Sequence, residues 1–156
     1  MPDIVVRRAE SEDLDGVAAC SAALFAEDGA VRDPLRDQRW PSGHGAAWIA
    51  ELSVNPDALL LAALADGTVI GHLVGLYQAA SPMWLGPRAE LVSTWVAPAL
   101  RGNGVGARLV ENFTAWARER GAARLHVTAY TANADAVRFY RRHGFAPLST
   151  ELAIDL

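Results

Sequence analysis

The chain has 156 residues, 51% of them hydrophobic and 21% charged, with a net charge of −4 at pH 7; that suffices for one domain burying about two-thirds of its unfolded surface. No apolar run approaches the roughly 20 residues of a membrane helix, and the acidic balance argues against a nucleic-acid surface while permitting a cationic partner. Cys20 is alone, so no internal disulfide can form, and Met1-Pro2-Asp3-Ile4 lacks the basic and apolar parts of an export signal; a cytoplasmic address is expected.

Residues 4–8 read as a first strand. Ser11-Glu12-Asp13 suits a helix start, with acids at the positive end of the dipole; Leu14, Val17, Ala18, Ser21, Leu24 and Phe25 then mark one helical face. Cys20 falls inside that helix and reads as a packed thiol. Residues 28–45, with Asp33-Pro34, Arg36, Asp37, Arg39 and Trp40-Pro41, predict a long irregular loop of the kind that often carries function. His44 at its end is either a helix-start histidine or a catalytic one. Residues 46–52 predict a short second helix, stopped by Asn55-Pro56.

Residues 58–64 form a continuous apolar run, as in a strand buried on both faces. Asp66-Gly67 is a two-residue hairpin signal. Residues 68–77 return as the partner strand, where Gly71 and Gly75 mark bulges or close backbone contact and His72 reads as a sheet residue. Residues 78–88 make another loop; Met83 and Trp84 at its tip either line a substrate entrance or cap the core.

The stretch that organises the chain follows. Glu90-Leu91-Val92-Ser93-Thr94-Trp95-Val96 is strand-like in its β-branched and aromatic content, and Pro98 stops ladder pairing. Gly102, Gly104 and Gly106 allow positive φ and close approach of a ligand. Val105, Leu109, Phe113, Trp116 and Ala117 then fall on one helical face, with Gly121 as the stop. A strand, a glycine loop and a helix N-terminus together aim free N–H groups at one point, where the dipole favours an anion: a diphosphate cradle. A tight structural turn is the plain alternative. Gly102-x-Gly104-x-x-Ala107 also fits the dinucleotide fingerprint, but the next strand, residues 123–130, carries no acid where the ribose would need one. No lysine follows the glycines, which excludes a phosphate loop of the Gly-Lys-Ser/Thr type.

In the strand at 123–130, Leu125, Val127 and Ala129 share one face and His126, Thr128 and Tyr130 the other. Residues 133–143 predict the last helix. Residues 148–156 end the chain as one or two strands, with Leu152, Ile154 and Leu156 alternating; they can close the sheet internally or pair with a second subunit.

The motif Val96-x-Pro98-x-x-Arg101-Gly102-x-Gly104-Val105-Gly106-x-x-Leu109, followed by Asn133-x-x-Ala136-x-x-Phe139-Tyr140-x-x-x-Gly144-Phe145, resembles the GCN5-related N-acetyltransferase (GNAT) family, most densely over residues 90–145. The resemblance implies an α/β (α+β) fold over residues 1–156 as a single domain: a mixed, largely antiparallel sheet with helices on both faces, in the order β-α-α-β-β-β-α-β-α-β-β. It also implies acetyl-CoA as donor and a primary amine as acceptor. By resemblance, Val96 offers backbone hydrogen bonds to the cofactor arm and acetyl carbonyl, and the N–H groups of Gly102, Asn103, Gly104, Val105, Gly106 and Ala107 hold the pyrophosphate. Arg101 either adds charge-assisted bonds to phosphate or fixes the loop through carbonyls. Asn133 contacts the arm or caps the helix.

A lysine-like amine is protonated at pH 7, and neutralising it costs about 4.6 kcal/mol, so the reaction needs a proton acceptor. Glu90 matches the general-base position of the histone-acetylating branch and also reads as an edge or salt-bridged carboxylate; His126 and His72 are further candidates. Tyr140 matches the family's general-acid tyrosine, with helix packing as the rival reading. The leading function is acetyl transfer to a primary amine, in particular a small cationic one. The alternatives are a noncatalytic acyl-CoA binding or sensing domain, a protein N-terminal or lysine acetyltransferase and, least supported, a nucleotide-dependent oxidoreductase. Neither nucleic acid, membrane nor metal is expected as a partner, and a homodimer is open.

Overall fold

The structure, a computed structural model, describes residues 2–156. Its strands form one sheet in chain order: β1 (Ile4–Arg8), β2 (Ala58–Ala65), β3 (Thr68–Gln78), β4 (Arg88–Val96) and β5 (Arg124–Val127). The first four pair antiparallel, whereas β5 runs parallel to β4. A parallel neighbour needs a crossover, and the helix α4 (Val105–Glu119) supplies it. The mixed, largely antiparallel sheet expected from the sequence is the one observed.

β2 is buried along almost its whole length because both faces of the sheet are covered, which is why its sequence is continuously apolar rather than alternating. On one face Leu59, Leu61, Leu73 and Leu91 pack against Val105, Leu109, Phe113 and Trp116 of α4. On the other, Leu60, Leu64 and Val74 meet Val17 of α1 (Leu14–Leu24) and Ile49 of α3 (Ala46–Ser53). The β2–β3 turn places Asp66 and Gly67 at φ of 49° and 81°, the doubly left-handed geometry that a two-residue hairpin requires.

Helix ends follow local chemistry. α4 stops in a Schellman arrangement: Ala122 N–H donates to Ala117 O and Gly121 N–H to Arg118 O, each at 2.9 Å, and Gly121 takes the left-handed φ of 76°. The long irregular loop expected over residues 28–45 is not what forms. α1 continues through a π turn (Phe25–Gly29) into the short α2 (Ala30–Arg32), and stops at Asp33, which is extended before Pro34. A second π turn (Pro41–Gly45), with Pro41 in its first turn, leads into α3. Only residues 33–39 lack helix. Aromatic contacts hold this segment: Phe25 stacks on Trp40 at 6.2 Å, Trp40 meets Trp48 edge-on at 5.7 Å, and the Arg36 guanidinium lies 5.1 Å from the Phe25 ring centroid.

The C-terminal strand expected over residues 148–156 is also absent. α5 (Ala134–Arg142) is the last regular element, and residues 146–156 run fully exposed with no ladder partner. The alternation that writes a strand is present in the sequence; the edge that would complete one is not engaged within this chain.

Candidate active site

The site begins with an opening in the sheet. β5 pairs with β4 only over residues 88–91, from Arg88↔Arg124 to Leu91↔Val127. Residues 92–96 therefore have β3 on one side and no strand on the other. The register between β3 and β4 shifts at Val74/Gly75, so that Val92 is an extra, bulged residue. Gly75 stands opposite because nothing larger fits: a Cβ there would lie 2.8 Å from the Phe113 ring. Beyond the bulge, Ala97 N–H donates to Ile70 O at 2.8 Å. Antiparallel alternation then turns the N–H and C=O of Val96 away from β3 and into the open slot.

At the end of that slot lies the glycine loop. Arg101 N–H donates to Pro98 O at 3.3 Å and Arg108 N–H to Gly104 O at 3.1 Å, but no backbone acceptor meets the N–H groups of Gly102, Asn103, Gly104, Val105, Gly106 or Ala107. Such a row of free donors at a helix N-terminus suits a diphosphate. The glycines divide the work. Gly102 and Gly104 both have φ of 80°, and a Cβ on either would meet no protein atom within 4 Å. Gly106 has a different reason, since its Cβ would press to 3.2 Å on Phe139 of α5. That close approach brings α5 against the cradle.

Arg101 and Asn133 are engaged with protein groups. Arg101 Nε donates to Val96 O at 2.8 Å, and its Nη2 donates to both carboxylate oxygens of Glu27 at 2.9 Å. Glu27 also accepts from Trp95 Nε1 at 3.2 Å. Asn133 accepts from Ala136 N–H as the cap of α5, and its Nδ2 donates to Asp28 at 3.1 Å. Asp28 holds Arg32 as well, at 2.5 Å. Val96 and Tyr140 both pack against the α4-side core. Burial, and then the charge of Asp28, push the Tyr140 phenol up to about 12, so it keeps its proton across the neutral range. Glu27 and Asp28 thus tie the strand end, the cradle and α5 together. Sequence reading missed both, since no local pattern marks their distant partners; in the structure they sit on the π turn that follows α1, a feature often found at functional sites.

Glu90 belongs to a second group, on the sheet face opposite Leu91. Gln78 Nε2 donates to Glu90 Oε2 at 3.2 Å, and His126 Nε2 lies 2.9 Å from Gln78 Oε1. An ionised carboxylate only accepts, so the Gln78 amide must turn its NH2 to Glu90 and its oxygen to His126. His126 Nε2 is then the donor, and among the described residues Nδ1 makes no hydrogen bond to another side chain. His72 is not part of this group. It is buried, shares a 2.7 Å bond with Ser93 Oγ, and burial lowers it to about 3; it stays neutral. Cys20 is buried with its thiol pushed up to about 11, as a packed residue should be. His44 is exposed on the π turn before α3. Met83 is exposed and Trp84 lies under the Arg88 guanidinium at 3.6 Å, so neither caps the core.

Residues 26–145 match the Acetyltransferase (GNAT) family, and the chain belongs to it. That membership makes it an acyltransferase with acetyl-CoA as donor, and the free N–H row fits that donor's diphosphate. Among its relatives, the streptothricin acetyltransferase of Streptomyces lavendulae is 39% identical over 82 residues, 53% of this chain and 41% of that one. The aminoalkylphosphonate N-acetyltransferase of Salmonella typhimurium is 29% identical over 148 residues, 93% of this chain and 86% of that one. The aminoglycoside N-acetyltransferase AAC(6')-Iy, solved in complex with CoA, shares the fold at a TM-score of 0.77 and 15% identity, covering 100% of this chain and 96% of that one. Among the described residues no helix is long and apolar enough to cross a membrane.

Proposed function

We propose that this protein, as one catalytic domain and a cytoplasmic homodimer, acetylates the primary amine of a small cationic molecule by direct attack on the thioester of acetyl-CoA. The observation that carries the reading is the row of unbonded N–H groups from Gly102 to Ala107, opening beside the unpaired edge of β4. In this reading those amides hold the pyrophosphate and Val96 aligns the arm. Arg101 acts mainly by fixing the strand end through Val96 O, and Asn133 by capping α5 beside the arm.

The chemistry balances without a further reactant. The amine nitrogen bonds to the acetyl carbon, the C–S bond breaks, the amine proton goes to a base, the departing sulfur takes a proton from Tyr140 Oη, and the proton held by the base returns through solvent to the Tyr140 phenolate. Backbone donors facing the developing negative oxygen contribute about 3 kcal/mol each where they are well placed. Glu90 is the proton acceptor, kept in position by the Gln78 amide. The hydrogen-bond order through Gln78 also favours a second reading, in which His126 Nδ1 receives the proton and Glu90 sets the tautomer. Glu90→Gln and His126→Asn separate them: the variant that loses the ascending limb of the kcat/KM profile against pH marks the base.

Support for a small acceptor comes from the names of the relatives, which are for streptothricin and aminoalkylphosphonates rather than proteins. The chain's net charge of −4 permits a cationic acceptor. A panel of polyamines, aminoglycosides, amino acids, aminoalkylphosphonates and peptide N-termini, read by thiol release, tests the proposal. Turnover confined to small cationic amines is expected; turnover of peptides alone would refute it. Binding of CoA with no turnover of any amine would favour the noncatalytic reading.

A further inference from the structure

The sheet face that carries Glu90 also carries two arginines that the proposed chemistry leaves unused. β4 and β5 pair Arg88↔Arg124 and then, two residues on, Glu90↔His126. Strand alternation puts these four side chains on one face, since Ala89, Leu91, Leu125 and Val127 pack on the α4 side. Two guanidinium groups therefore start side by side at the head of the ladder, where like charges facing each other repel. Among the described residues neither forms an ion pair.

Local structure holds Arg88 in place. Ala123 N–H donates to Pro87 O at 2.8 Å, and Gly86 approaches so closely that a Cβ on it would lie 3.1 Å from the Ala123 Cβ. The segment before β4 is thereby pinned to the start of β5. Ser81 and Trp84 exchange backbone hydrogen bonds at 3.0 and 3.1 Å, closing a turn that lays the Trp84 ring 3.6 Å from the Arg88 guanidinium carbon. The ring shields one side of the cation, and Arg88 Nε is buried with no hydrogen-bond partner. A shielded cation with an unsatisfied donor calls for an anion. Its neighbours do not supply one: Gln78, opposite Arg88 on β3, turns its NH2 to Glu90 and its oxygen to His126.

We infer that Arg88 and Arg124 bind an acid group of the acceptor, so that the amine acetylated here carries a carboxylate or comparable acid on the same molecule. The inference rests on the proposed acetyl transfer to a small cationic amine and specifies that amine: cationic overall, with two amines and one acid group, as in lysine and ornithine. The arginine pair and the Glu90–His126 pair stand about 7 Å apart, at roughly 3.3 Å per strand residue. An acid held between the guanidinium groups leaves the side-chain amine of such a molecule to reach across that interval to Glu90. The diphosphate cradle follows the opposite end of β4, roughly 26 Å from Arg88 at the same rise, so these cations are separate from the cradle. Arginine suits the task because its planar fork matches a carboxylate or phosphonate in two parallel bonds.

Matched acceptors test it. Rates with acetyl-CoA, read by thiol release, are compared for lysine against cadaverine and for ornithine against putrescine, pairs that differ by the carboxylate alone. The full chain should favour the acid-bearing member at least tenfold in kcat/KM, the effect of one hydrogen bond to a charged group. Arg88→Gln and Arg124→Gln should each bring that ratio near unity. A merely structural role for either arginine would lower both members together and leave the ratio where it was. Arg124 is exposed, so its variant keeps the test open if Arg88→Gln does not fold. An unchanged ratio in either folded variant would overturn the inference. So would equal use of the two members by the full chain, or failure of lysine and ornithine where other amines react. Each of these results leaves acetyl transfer standing, whereas no turnover of any amine would refute the transfer and the acid site with it.

Discussion

Gly104 and Gly121 form a matched pair for testing the cradle. Both sit at an end of α4 with left-handed φ, 80° and 76°, and a Cβ on either would meet no protein atom within 4 Å. Alanine at either position meets the same backbone strain, about 1–2 kcal/mol. Part of that is offset by the smaller entropy of the unfolded chain, so each variant should lose about 1 kcal/mol of stability. Their ligand affinities should differ. A Cβ at Gly104 stands among the N–H groups that have no acceptor, whereas Gly121 lies at the opposite end of the helix. Loss of one hydrogen bond to a charged group costs about 1.5–3 kcal/mol, or roughly 10- to 150-fold in Kd. Urea unfolding and calorimetric titration with CoA measure the two effects separately. Gly104→Ala should bind CoA at least tenfold more weakly and Gly121→Ala as the parent does. Equal affinities at equal stability would refute the cradle.

Tyr140→Phe should lower kcat at least tenfold with the KM for acetyl-CoA nearly intact; unchanged turnover at saturating substrate would remove Tyr140 from the mechanism. His72 predicts an acid-side loss of stability. Above its unfolded value of about 6.5 it is neutral in both states, and below that the unfolded chain takes up a proton that the folded chain refuses down to about pH 3. Stability should fall by about 2 kcal/mol between pH 7 and pH 5 from this group. His72→Gln should remove that part of the slope in urea melts at the two pH values, and an identical slope would contradict the burial argument. Gly75→Ala should lose about 1–3 kcal/mol by overpacking against Phe113, and an unshifted urea midpoint would contradict the close approach.

The parts of the site readable from sequence are those in which chemistry and structure are local. Strand, glycine loop and helix occupy one continuous stretch from Glu90 to Glu119, so residue type and spacing specify these three elements directly. The Asp66-Gly67 turn and the Gly121 stop are legible for the same reason. Glu27 and Asp28 were not legible, because their partners Arg101 and Asn133 lie far along the chain. The helical course through Phe25–Gly29 was hidden as well; Gly29 and the acids beside it look irregular until Trp40, itself backed by Trp48, stacks on Phe25. At the C-terminus the sequence writes a strand clearly, but pairing is a property of two edges and cannot be read from one of them.

A crystal of the chain grown with acetyl-CoA tests the central claim most directly. The diphosphate oxygens should lie within hydrogen-bond distance of the N–H groups of residues 102–107, with the arm along the slot beside Val96 and the sulfur near Tyr140 Oη. Ligand bound elsewhere with that row of amides still vacant would contradict the account.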